Sequence, residues 1–188
     1  AGYTNLAKAY WSKAEKLREY AKEDFKTNAL LAVDNIEIGL GKESDGVKRE
    51  ETARALTAVL GNLYIESEED AREPYLTKYR EVTGNLGQLF GPHESFGRVL
   101  FDKAEDMRAN KRKEELYRDY YTYSGEAYGK AADIRRDLGT TDVDVPLFAG
   151  IAYLNAEMFA EAAQYLNMTV QLDPNLEQAW FYMEFSYY

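Results

Sequence analysis

The chain has 188 residues, no Cys, one His, and 33 Asp plus Glu against 23 Lys plus Arg, for a formal net charge of −10. Without a thiol, disulfides, thiolate metal sites and Cys nucleophiles are excluded; one His is too few for a His-based catalytic system or a multi-His metal site, and the acidic balance argues against a nucleic-acid groove. Hydrophobic residues at 45% and only 4 Pro describe a folding chain, one domain is the default at this length, and no run of about 18 apolar residues is present to span a membrane.

The dominant period is helical. Leu6, Tyr10, Ala14, Leu17, Ala21 and Phe25 recur at steps of three and four, which predicts a first helix over about 4–24. A second is expected over about 28–40, stopped by Gly39, Gly41, Ser44, Asp45 and Gly46. Leu56, Leu60 and Leu63 stripe a third over about 47–69, ending in the acidic run Glu66 to Asp70. Pro74 suits the first turn of a fourth helix, 74–90, because its missing N–H is not needed there. Gly91-Pro92 starts the next by the same logic. Gly125 and Gly129 suggest a break that divides the following stretch into 93–123 and 125–138. Asp144 is expected to cap a helix over 145–156, followed by 159–172 and a last helix over about 176–188. No segment alternates, so the fold class is all-α, built of antiparallel helical hairpins.

One segment carries a more specific pattern. With Val143 as position 1, Gly150 falls at 8, Tyr153 at 11, Phe159 at 17, Ala162 at 20 and Pro174 at 32, and Trp180 returns at position 4 of the next unit. Gly150 and Ala162 are small where two helices would cross closely, and Tyr153 and Phe159 would fill the space between them. In this register 143–188 resembles a tetratricopeptide repeat, a family that repeats a helical pair about every 34 residues. Leu60, Gly61 and Tyr64, and separately Tyr128 and Ala131, fit fragments of the pattern. The resemblance implies a stacked α-solenoid forming a single domain, with degenerate hairpins over 1–142 and a repeat plus a half-repeat over 143–188. An irregular helical bundle ending in one such unit is the alternative.

Other candidates have plainer readings. His93, beside Pro92 at a helix start, reads as a surface or capping residue. The run Glu66 to Asp70 lacks the Gly and spaced oxygens of a calcium loop. Gly39 to Ser44 lacks the hydroxyl directly after Lys42 and the preceding strand of a phosphate loop. Arg108, Lys111, Arg112 and Lys113, followed at once by Glu114 and Glu115, read as an exposed helix face with local ion pairs. Asn167-Met168-Thr169 is a glycosylation sequon placed mid-helix. Tyr117, Tyr120, Tyr121 and Tyr123 are expected to pack between helices. The chain opens at Ala1 without a signal peptide, so a leader or only an initiator Met has been removed. A Cys-free, Tyr-rich composition is shared by exported and cytosolic proteins, and the expectation here is export.

The functional expectation is a non-catalytic protein-interaction scaffold with no cofactor and no metal. The resemblance implies a concave face from the first helix of each hairpin, here Leu147, Ile151, Leu154 and Asn155, which is too apolar to clamp a terminal carboxylate. The stretch 179–188 is apolar or aromatic almost all round, so Trp180, Phe181, Phe185 and Tyr188 are expected to dock on a partner protein. Self-assembly, with a neighbouring copy completing the half-repeat head to tail, is the alternative. A carboxylate-based hydrolase is a minor one.

Overall fold

A computed structural model describes residues 2–111, 114–140 and 142–187. Among these the chain is all-helical, with nine α-helices, one short 3-10 turn and no strand. It divides into two compact units, 1–87 and 88–188.

The first unit holds α1 (Gly2–Leu17), α2 (Lys22–Lys42), α3 (Gly46–Glu66), a 3-10 turn at Glu69–Ala71 and α4 (Glu73–Asn85). Each α-helix packs on the next along the chain. α1 buries only Ala7 and Ala14, and α2 buries Ala29 and Ala32, so small side chains let the pair lie close. α3 buries the predicted Leu56, Leu60 and Leu63, each contributing roughly 1.5–3 kcal/mol through burial. Asp45 starts α3 by accepting the Lys48 N–H at 3.0 Å, a cap that stabilises by about 1 kcal/mol. Pro74 stands in the first turn of α4, as its missing donor requires.

Several boundaries differ from the sequence reading: α2 begins at Lys22 instead of 28, and α4 ends at Asn85 instead of 90. The first helix ends at Leu17 instead of 24, although neither Gly nor Pro marks the spot. Arg18 leaves the helix to pair with Glu66 at 2.8 Å and lies over the Phe25 ring at 6.0 Å. Phe25 is buried on α2, with the Trp11 ring edge-on at 6.3 Å. Tertiary contacts therefore place this break. Conversely, Gly39 and Gly41 do not stop α2, which runs on to Lys42.

The second unit holds α5 (Gly91–Ala109), α6 (Glu114–Asp137), α7 (Asp144–Asn155), α8 (Phe159–Leu172) and α9 (Glu177–Phe185), again each packed on the next. The largest correction lies here. Gly125 and Gly129 break nothing: they stand inside α6, and α5 instead ends near Asn110 and Lys111, where Lys111 takes φ 50°. The two glycines are seats for aromatic rings. A Cβ at Gly125 would lie 2.9 Å from the Tyr153 ring, and one at Gly129 would lie 2.7 Å from the Tyr165 ring. Those rings stack on each other at 5.7 Å and 13°. α6 is thus held against α7 and α8 by two tyrosines lying in grooves that only glycine leaves open. Arg135 adds a tie from α6 to α5, pairing with Glu94 at 2.6 Å while its guanidinium lies 3.9 Å over the Phe90 ring.

Candidate interaction surfaces

The 143–172 hairpin is built as its small residues suggest. A Cβ at Gly150 would come within 2.6 Å of Leu166, which is fully buried, so α7 and α8 touch at that glycine. Ala162 is fully buried, and Tyr153 fills the interior between helices. Phe159 departs from expectation. It opens α8 and is 44% exposed instead of filling the crossing. Asp144 also differs: it lies within the first turn, and its N–H is accepted by Asp142 Oδ1 at 3.0 Å.

Of the face expected on α7, Leu147 and Ile151 are buried in this unit's own core. Leu154 is half-buried against the same core, and Asn155 accepts a hydrogen bond from Arg108 at 3.1 Å. The side chain that α7 presents outward is Phe148, one position from Leu147. It stacks on Tyr128 at 5.5 Å and 23°, with Phe101 edge-on at 5.4 Å. Phe101 also meets Tyr121 at 5.7 Å. Sequence reasoning misses this aromatic nest because its members are scattered over three helices.

The Tyr cluster of α6 packs inward. Tyr120 and Tyr121 are buried, and Tyr121 donates its hydroxyl proton to Glu105. Burial first, then the hydrogen bond to Glu105, pushes the Tyr121 hydroxyl well above its ordinary range. Burial likewise raises Tyr153 to about 12. His93 is not a surface residue. It is buried in the first turn of α5, and burial, aided by the Lys130 charge, lowers its pKa to about 4. Of the basic cluster, Arg108 forms its local pair with Glu105 at 3.0 Å, whereas Arg112 and Lys113 lie outside the described residues. In the sequon, Asn167 is exposed but Thr169 is fully buried and donates to Tyr165 O at 2.9 Å.

α9 has two faces. Ala179 is buried, and Tyr182 and Met183 pack beside it onto the core of this unit. The opposite face is open: Trp180 is 48% exposed, Phe181 57% and Phe185 50%, and Tyr187, in the turn just past the helix, is 71% exposed. Trp180 is fixed by donating its Nε1–H to Pro174 O at 2.9 Å. Phe181 and Phe185 meet edge to face at 5.0 Å. Helical geometry sets Glu177 and Glu184 between these two aromatic rows. Tyr188 lies outside the described residues.

Charge adds a signal that is visible in the sequence alone. Beyond residue 137 the chain carries Asp142, Asp144, Glu157, Glu161, Asp173, Glu177 and Glu184, and not one Lys or Arg. α1 has the opposite bias, with Lys8, Lys13 and Lys16 against Glu15. Among the described residues no helix is long and apolar enough to cross a membrane. Comparison with protein-family models, with curated proteins and with solved structures finds no match.

Proposed function

We propose that this chain is a non-catalytic protein-interaction scaffold of tetratricopeptide-like, stacked helical-hairpin build, and that the outer face of α9 is part of its binding surface. The observation that carries this reading is the exposed aromatic ridge of Trp180, Phe181 and Phe185, on a helix whose other face is already buried, with Tyr187 exposed just beyond its end. Leaving such side chains half in water forgoes part of the roughly 1.5–3 kcal/mol that each gains when fully buried. Exposed aromatic patches of this sort mark interaction surfaces. The Gly150–Leu166 contact, with Tyr153 and Ala162 inside the hairpin, supports the repeat-like build. The acidic setting of the ridge favours a partner with basic residues flanking an apolar helical stripe.

The test is selection from a displayed library of amphipathic helical peptides, counter-selected against the Phe181→Asp/Phe185→Asp double variant. Enriched peptides should share apolar positions at helical spacing and carry net positive charge. They should bind the double variant at least tenfold more weakly. Failure to enrich any such peptide, or equal binding to both proteins, overturns the reading.

A further inference from the structure

The first unit has a groove of about 480 Å³ between α1 and α3, floored by Ile36 of α2 together with Ala7 and Val59. Trp11 and Thr4 form its α1 wall, and Thr52 and Ala55 its α3 wall. Lys8 and Lys48 stand at its rim and pair with no carboxylate among the described residues. Glu43 and Glu51 share that rim, and Glu43 Oε1 already accepts the Asp45 N–H at 3.0 Å.

We infer that this groove receives the α9 ridge of a second copy of the chain. The inference rests on the scaffold reading above and names its partner. Three observations support it. First, lengths match: Thr4 to Trp11 on the groove wall and Glu177 to Glu184 on the ridge are both eight residues, about 10 Å of helix. Second, chemistry matches: an apolar trough with a Trp wall faces a row of Phe and Trp rings. Third, charges fit: the ridge has Glu177 and Glu184, in a stretch from 138 onward that holds no Lys or Arg, while the groove rim brings Lys8 on the lysine-rich α1 and Lys48 at the start of α3, both without a carboxylate partner among the described residues, beside Glu43 and Glu51. Ridge and groove are different surfaces, so the contact is heterologous, and successive copies join head to tail into chains or a closed ring.

The test uses two full-length variants, each spoiling one half of the contact. Phe181→Asp/Phe185→Asp spoils the ridge at exposed positions. Ala55→Arg, also exposed, fills the groove. Circular dichroism checks that both fold. Sedimentation equilibrium should show the parent protein growing in mass with concentration and each variant remaining a monomer. An equimolar mixture of the two variants should form a one-to-one dimer that grows no further, because one intact ridge meets one intact groove. Lys8→Glu/Lys48→Glu should weaken association at least tenfold, and adding Glu177→Lys/Glu184→Lys should restore it. A parent protein that is monomeric at every concentration, or variants that fail to pair on mixing, overturns the inference. Should selected peptides still bind α9 in that case, the scaffold reading stands with a different partner.

Discussion

In residues 1–87 the helical glycines Gly41 and Gly84 look out on open space, where a Cβ would meet nothing within 4 Å, and a Cβ at Gly39 would make only ordinary contact with Thr4 and Tyr3 at 3.7 and 3.8 Å. In residues 88–188 four helical glycines are tight contact points. Gly97 meets Tyr128 at 3.1 Å, and Gly125, Gly129 and Gly150 meet Tyr153, Tyr165 and Leu166 at 2.9, 2.7 and 2.6 Å. The same residue type thus marks slack at Gly41 and Gly84 and tight interlocking at Gly125, Gly129 and Gly150. A glycine inside a helix costs about 0.5–1 kcal/mol relative to Ala, and close packing offsets that cost at Gly125, Gly129 and Gly150.

The sharpest way to break this contrast is Leu166→Ala, which empties a fully buried site against Gly150. It should destabilise by about 2–5 kcal/mol in urea unfolding. Combined with Gly150→Ala, the two changes should cost well below their sum, since the added methyl enters the vacated space.

Acid should act next most strongly, through His93. Its folded pKa of about 4 lies below the ordinary 6.5, so between these values the unfolded chain binds the extra proton and stability rises with pH. That contribution is complete above pH 6.5 and is lost as pH falls towards 4. It amounts to about 3 kcal/mol at most. As the chain has one His, His93→Gln should flatten the slope of stability against pH in that window. An unchanged slope would mean that burial of this ring is misjudged.

Gly150→Ala alone should cost about 1–3 kcal/mol by overpacking. Gly41→Ala, in the open last turns of α2, should be neutral or stabilise by about 0.5 kcal/mol. Equal effects of these two substitutions on the urea midpoint would erase the contrast between the open and the packed glycines.

This contrast also explains which features were readable in advance. Leu56, Leu60 and Leu63 announce their helix because burial and period act within one element. Pro74 and Pro92 announce helix starts because the cause is local geometry. Gly125 and Gly129 mislead because propensity alone treats glycine as a breaker, whereas their role depends on rings over twenty residues further along. The end of α1 at Leu17 is equally hidden, being set by Arg18 reaching Glu66. At the candidate surface, Trp180, Phe181 and Phe185 are legible as a run too apolar for a fully solvated helix. Leu147 in place of Phe148 is a one-residue error in helical phase: α7 is apolar on nearly all sides, so its sequence does not say which side faces out.

The two tryptophans fall on the two sides of the proposed contact, Trp11 in the groove and Trp180 on the ridge. Each can be followed alone, in Trp180→Phe or Trp11→Phe protein, by emission wavelength and acrylamide quenching across a concentration series. Both should shift to the blue and become protected together as concentration rises, and both shifts should vanish in the Phe181→Asp/Phe185→Asp background. Emission and quenching that stay constant at both sites, from nanomolar to the highest soluble concentration, would contradict the account.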